Sequence, residues 1–323
     1  MNLKTVDLFA GGGGLSLGFE QAGFEVVCAV ENWAPALEVY KANFTGHDAI
    51  SLDLSNELAA LQLLDNYRPD VVVGGPPCQD FSSAGKRDEG LGRASLTINF
   101  ANIVSHYKPK FFLMENVARA ASSNAFKVAL GVFKRANYGL TIQLLNAAYC
   151  GAPQSRKRMF VIGQLDGKDG FLDHALLSGL SDNPMTMRQY FHNRLPFEYY
   201  YRHPRSYARR AVFSIDEPSP TIRGVNRPVP KGYPGHAGDP VPVSSELRSL
   251  TTEERARIQT FPVNFRLPGT KSDVEQVIGN AVPVKLAHYV AKCLVQYIEA
   301  LESQDMLPSQ NQLFEPKKAL RAA

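Results

Sequence analysis

Apolar runs of strand length punctuate the first half of the chain near residues 4–9, 25–30, 70–73, 110–114, 141–145 and 159–163. They are rich in β-branched and aromatic residues, and helically spaced stretches lie between them. That alternation predicts an α/β fold with a doubly wound, mostly parallel, Rossmann-like sheet. The pattern stops after about residue 165. Residues 179–245 are dense in Pro, Gly, Arg and Tyr and have little helical periodicity, which predicts a smaller loop-rich or β region. Regularity resumes at Thr251-Thr252-Glu253-Glu254, where a threonine followed three residues later by glutamate predicts a capping box. A last helix is expected from about Pro283 to Glu302. Leu286, Val290, Leu294, Ile298 and Leu301 form its apolar face, and Pro283 sits in its first turn.

With 323 residues the chain can bury a full core and carry more than one domain. No apolar stretch reaches the length of a membrane span, and the sequence from Met1 runs into a strand pattern without a signal-peptide profile, so a cytoplasmic protein is expected. The net charge of +4 is modest, but its placement is not. Between Arg188 and Lys231 nine basic residues face three acidic ones, interleaved with Tyr190, Phe191, Phe197, Tyr199, Tyr200, Tyr201 and Tyr207. A solvated surface loop would explain the charge alone; arginines mixed with aromatics fit a nucleic-acid face better.

Four short motifs carry chemistry, and each is placed at or near a strand end. Asp7-Leu8-Phe9-Ala10-Gly11-Gly12-Gly13-Gly14-Leu15-Ser16 takes a strand into a glycine turn and then a helical pattern, a place where backbone amides can approach a ligand closely. Glu31 follows at the end of the second strand, where a carboxylate can hold ribose hydroxyls. Ser16 stands where a dinucleotide fingerprint needs its third glycine, and no phosphate-loop lysine is present, so a nucleoside cofactor suits the turn without a pyrophosphate. Asp53-Leu54 could follow a third strand.

The run Val71-Val72-Val73-Gly74-Gly75-Pro76-Pro77-Cys78-Gln79 places one thiol just past a buried strand. The other cysteines, Cys28, Cys150 and Cys293, add neither metal-ligand spacing nor a disulfide framework, and no metal is expected. Phe111-Phe112-Leu113-Met114-Glu115-Asn116-Val117 ends in a carboxylate whose pKa burial would raise, which suits a proton donor. Gln154-Ser155-Arg156-Lys157-Arg158 leads into an apolar strand, with two arginines at alternate positions expected on one side.

In their order and spacing these motifs resemble the cytosine-5 DNA methyltransferase family. Phe9 through Gly14 is similar to its cofactor loop, Gly75-Pro76-Pro77-Cys78-Gln79 to its nucleophile loop, and Glu115-Asn116-Val117 to its glutamate motif. Gln154 through Arg158 resembles its arginine motif. Arg248 through Pro262 resembles the segment that supports the recognition region, and Gly279-Asn280-Ala281-Val282-Pro283 its last motif.

The resemblance implies a Rossmann-like methyltransferase sheet built from residues 1–178 and 266–323, with a target-recognition region at 179–265. It implies S-adenosyl-L-methionine as cofactor, S-adenosyl-L-homocysteine as product, and double-stranded DNA as substrate. Cys78 would add to cytosine C6, Glu115 would act at N3, and Arg156 would hold O2 with Arg158 in support. Phe9, Gly11, Gly13, Gly14, Leu15, Glu31, Asn32, Trp33, Asp53, Leu54, Pro77, Asn280 and Val282 would line the cofactor pocket. Gln79, Ser82, Arg205, Thr221, Arg223 and Arg227 would meet DNA, the arginines being suited to guanine edges. The compact chain is similar to modification enzymes that act as monomers beside a restriction endonuclease, a genetic rather than physical partner. Three rivals are weighed against this. A dinucleotide oxidoreductase leaves the cysteine loop unexplained, an RNA methyltransferase could use the same residues, and a non-catalytic DNA binder would have no need of them.

Overall fold

The computed structural model describes residues 3–77 and 94–305. In chain order the first half comprises β1 (Lys4–Leu8), α1 (Gly14–Gln21), β2 (Glu25–Val30), α2 (Ala34–Asn43), β3 (Asp48–Ile50), α3 (Glu57–Tyr67), β4 (Val71–Gly74), α4 (Ala94–Tyr107), β5 (Phe111–Val117), α5 (Asn124–Arg135), β6 (Tyr138–Asn146), β7 (Gln154–Ser155) and β8 (Lys157–Leu165). The second half comprises α6 (Asp173–Ser178), α7 (Met187–Phe191), β9 (Tyr199–Tyr201), β10 (Val212–Ser214), β11 (Ser219–Pro220), α8 (Thr252–Ile258), α9 (Lys271–Asn280) and α10 (Val284–Asp305).

Among the described residues seven strands form one sheet in the order β3-β2-β1-β4-β5-β8-β6. β1 to β5 pair in parallel, and β8 runs antiparallel to both β5 and β6. This is the expected doubly wound, mostly parallel sheet. The antiparallel strand arises because β6 returns to β8 without a crossover helix, and only antiparallel strands can be joined that tightly. β1 lies between β2 and β4, so the chain reverses its direction of sheet growth there. Such a switch point opens a crevice at the strands' carboxyl ends. Both the glycine turn and the run toward Cys78 leave the sheet at that crevice.

The three valines of β4 show how the sheet is covered. Val71 and Val73 face the layer that holds Phe19, Leu286 and Val290, while Val72 faces the layer of Leu64, Phe100 and Phe112. Burial on both faces is why this strand reads as continuously apolar. The predicted face of α10 is buried at Leu286, Val290, Leu294 and Ile298. Pro283 precedes the helix rather than opening it; its carbonyl accepts the Ala287 amide at 3.0 Å. The predicted capping box starts α8: Thr251 Oγ1 accepts the Glu254 amide at 3.2 Å, and Glu254 Oε2 accepts the Thr251 amide at 2.8 Å. β3 has only three residues, too few to stand out as an apolar run.

Between α7 and α8 regular structure is sparse. β9 and β10 form an antiparallel pair, and β11 pairs in parallel with β7, which ties this region to the sheet. No described helix is long and apolar enough to cross a membrane.

Candidate active site

Glu115 stands near the carboxyl end of β5 and is almost wholly buried. In the antiparallel register Val117 lies opposite Arg158, so Glu115 and Arg158 are diagonal neighbours on one face of the β5–β8 pair. Arg158 Nε meets Glu115 Oε1 at 2.7 Å. A Cβ on Gly75 would lie 3.3 Å from Glu115 Oε2, so the carboxylate borders the turn that leads to Cys78. Asn116 braces the same turn through Nδ2, which donates to the Pro76 carbonyl at 3.4 Å. Burial pushes the Glu115 carboxyl above its ordinary range, against the pull of the Arg158 and Arg156 charges. Glu115 is thereby poised to hold or share a proton beside the strand end.

Pro77 is the last described residue before Cys78; Cys78, Gln79 and Ser82 lie outside the described residues. Cys28, Cys150 and Cys293 are buried, and burial pushes the Cys28 and Cys150 thiols up to about 12. None of the three has the exposure or low pKa of a nucleophile.

Arg156 does not share the side of Arg158. It falls between β7 and β8, where its amide donates to the Gln154 carbonyl at 3.0 Å and to Asn146 Oδ1 at 3.1 Å. That tight bend breaks the alternation on which the expected pairing rested. The residue is only 1% exposed, and its charge acts on Glu115 without an ion pair to it among the described residues. Nη1 donates to the Ile222 carbonyl, and Nη2 to the Gly279 carbonyl, both at 2.9 Å. The geometry gives Arg158 the place beside the acid and Arg156 a place among backbone carbonyls.

The glycine turn is closed by the far end of the chain. A Cβ at Gly14 would collide with the Val282 carbonyl oxygen, whereas one at Gly11 would meet nothing within 4 Å. The turn therefore packs against residues 281–282 on one side and stays open at Gly11. Glu31 joins it to β2: Oε2 accepts the Gly11 amide and Oε1 the Trp33 amide, both at 2.8 Å. A carboxylate keeps further lone pairs for ribose hydroxyls after two such bonds.

Other expected pocket residues are placed unevenly. Phe9 is half-buried with a left-handed φ of 63°, Trp33 packs beside Ala36, Val39 and Val277, and Asn32 is exposed. Asp53 is exposed, with Oδ1 accepting the Ser55 amide at 2.9 Å. The backbone and side-chain hydrogen bonds with Ser55 hold its pKa below the usual carboxylate value. Asn280 is exposed and accepts Gln276 Nε2 at 2.8 Å. A Cβ at Gly13 would run into the Phe44 ring. Leu15, Leu54 and Val282 are core residues, so only their backbones could serve a ligand directly.

Beneath the turn lies a polar chain that sequence reading missed. Ser16 Oγ donates to Asp7 Oδ2 at 2.6 Å, Tyr40 OH donates to Ser16 Oγ at 2.9 Å, and His47 Nε2 lies 2.7 Å from Tyr40 OH. Asp7 Oδ1 is buried with no hydrogen-bond partner among the described residues. Burial pushes the Asp7 carboxyl up to about 7; the Ser16 hydrogen bond opposes this and the Glu31 charge adds to it. The open Gly11 side and the unspent acceptors of Glu31 suit a nucleoside ligand.

The basic segment divides in two. Arg188 pairs with Glu198 and Asp216, Arg210 with Glu217, and Arg248 with Glu254. Arg202, Arg205, Arg223 and Arg227 form no ion pair with a carboxylate among the described residues, and their charges act on one another or on His203 between them. Arg205 and Arg227 are exposed, whereas Arg223 is half-buried and donates to the His203 carbonyl. Thr221 Oγ1 donates to the Ser155 carbonyl at 2.8 Å. This unneutralised group borders the arginine motif, as a phosphate-facing surface would.

A mostly parallel sheet with an open glycine turn at its switch point, and a buried acid–arginine pair one strand beyond β4, suits an enzyme that binds a nucleoside at its strand ends. Residues 3–296 match the family described as C-5 cytosine-specific DNA methylase, and the chain belongs to that family. It is 55% identical over 296 residues to the type II methyltransferase M.HindV of Haemophilus influenzae, covering 91% of this chain and 97% of that one. It is 52% identical over 309 residues to M.HgiDI of Herpetosiphon aurantiacus, covering 95% and 99%. Among solved structures it is similar in fold to the S. pombe Dnmt2 methyltransferase, with a TM-score of 0.68 at 20% identity, covering 92% of this chain and 99% of that one. The enzyme class is DNA cytosine-5 methyltransferase.

Proposed function

We propose that this chain uses S-adenosyl-L-methionine to methylate one cytosine within a short duplex DNA sequence, as the modification enzyme of a prokaryotic restriction-modification system. The observation that carries the reading is the buried Glu115–Arg158 pair bordering the turn before Cys78. A cytosine in that position requires the base to leave the duplex, because none of these groups could reach a stacked ring. Cys78, as thiolate, adds at C6 and leaves electron density at C5. Glu115 stabilises the adduct by holding a proton at N3, and Arg158 binds the charge developing at O2. The cofactor supplies an electrophilic methyl group. Loss of the C5 proton and departure of Cys78 then restore the aromatic ring.

Gly11, Gly13, Gly14, Glu31, Trp33 and Asp53 would hold the cofactor, with the backbone at Leu15, Leu54 and Val282 and the side chains of Phe9, Asn32, Pro77 and Asn280 around it. Residues 179–265 would form the target-recognition region, with Arg205, Thr221, Arg223, Arg227, Gln79 and Ser82 toward DNA. The enzyme would act as a cytoplasmic monomer, with a restriction endonuclease as its genetic companion.

Bisulfite sequencing of plasmid DNA incubated with the protein and S-adenosyl-L-methionine tests the reading, beside Cys78→Ala. Protected cytosines confined to one recurring short sequence, and absent with Cys78→Ala, are expected. Protection that persists in the variant would overturn the role of Cys78. No protection with the unaltered protein would redirect the search to RNA.

A further inference from the structure

Three consecutive backbone carbonyls in the recognition region are each met by a different guanidinium. Arg202 Nη2 donates to the Thr221 carbonyl at 2.8 Å and Arg156 Nη1 to the Ile222 carbonyl at 2.9 Å; Arg255 Nη2 donates to the Arg223 carbonyl. The three arginines come from distant parts of the chain: the loop after β9, the bend before β8, and α8. Side-chain amides hold the same segment. The Ile222 amide donates to Gln154 Oε1 at 2.8 Å, and Asn226 Nδ2 donates to the Leu250 carbonyl at 2.8 Å and to Glu275 Oε1 at 3.2 Å. Arg255 is in turn fixed by a buried ion pair with Glu275.

What this fixed segment leaves outside is as telling. Val225 is 52% exposed and Arg227 is exposed, one on each side of the anchored Asn226. An exposed valine near an arginine, beside backbone held at residues 221–223 and through Asn226, can offer DNA an apolar contact and a bidentate donor.

We propose that Arg202, Arg156 and Arg255 are positioning residues that set target-sequence selectivity by clamping residues 221–223, and that Arg202 is committed to this rather than to a DNA phosphate. The proposal rests on the reading of the chain as a sequence-specific methyltransferase. Arg202 is the informative position, because a cation with no carboxylate partner invites the phosphate assignment. Burial and the neighbouring Arg223 charge lower its pKa to about 10, consistent with a group turned inward.

The test measures methylation of the cognate site, taken from the bisulfite map, against sites altered at one base, for the unaltered protein, Arg202→Met and Arg202→Lys. The clamp predicts that Arg202→Met lowers the cognate-to-altered ratio of kcat/KM by about tenfold or more. The slope of log binding constant against log salt concentration should stay unchanged, and Arg202→Lys should recover part of the ratio by donating to Thr221. A ratio within about twofold of the unaltered protein, with a salt slope smaller by about one, would make Arg202 a phosphate contact and overturn the clamp. Should Arg202→Met not fold, hydrogen exchange at the Ile222–Gly224 amides in Arg202→Ala, which also removes the donor, decides the same question; unchanged protection there, with selectivity also unchanged, counts against the clamp. Absence of any mark from the unaltered protein would refute the underlying reading instead.

Discussion

In the sheet, β4 places three valines between two layers of apolar side chains; in residues 187–227, guanidinium groups meet backbone carbonyls and carboxylates. The first arrangement is non-directional and tolerates exchange of similar side chains. The second depends on donors aimed at fixed acceptors, so a lost guanidinium leaves carbonyls unpaired. Arg156 and Arg158 sit on the boundary between the two regions. Two positions apart, one donates to carbonyls of the recognition segment and the other pairs with the acid near the carboxyl end of β5.

Arg158→Met should break the comparison on the catalytic side with the largest effect. Turnover of the folded protein is expected to fall by about 10²–10³-fold, on top of the stability lost with the Glu115 pair, because the side chain would also support charge that develops during reaction. Single-turnover methyl transfer at a temperature where the variant is folded, beside a thermal melt, checks this; a rate that falls only in proportion to the unfolded fraction would make Arg158 structural.

Arg156→Met should act in the opposite sense. Unpaired carbonyls at Ile222 and Gly279 should cost on the order of 3 kcal/mol in urea unfolding. A variant of unaltered stability would remove Arg156 from the framework.

The smallest effect is one of pH. Asp7 has its carboxyl pushed up to about 7 in the folded chain, so the folded state holds a proton that the unfolded chain releases near pH 4. Stability from this group is fully present below about pH 4 and is lost progressively as pH rises to about 7. Asp7→Asn should flatten that slope between pH 5 and 8 in urea midpoints; an unchanged slope would show that other groups set it.

Much of this contrast was legible in the sequence, and the limits have physical causes. β1, β2, β4 and β5 announce themselves by buried apolar runs, and the Thr251–Glu254 box is local, so both could be read from neighbouring residues. Glu115 was legible because an apolar strand ending in a carboxylate is a local pattern. The division of labour between Arg156 and Arg158 was not, since a single bend after Ser155 reverses the alternation. The pairing of Arg255 with Glu275, and of Arg202 with a carbonyl in another loop, joins residues with no local pattern linking them. Asp7 stood inside the glycine motif, but its link to Ser16, Tyr40 and His47 needs α1 and α2 folded over it.

The contact between Gly14 and the Val282 carbonyl also bears on how the enzyme is made. On the ribosome the glycine turn emerges well before residues 281–282, which cover it. The nascent chain can assemble its early parallel strands, but the cofactor site stays unfinished until α9 and the start of α10 have emerged. Premature termination would thus yield a protein bearing Glu115 and Arg158 with no closed place for a methyl donor.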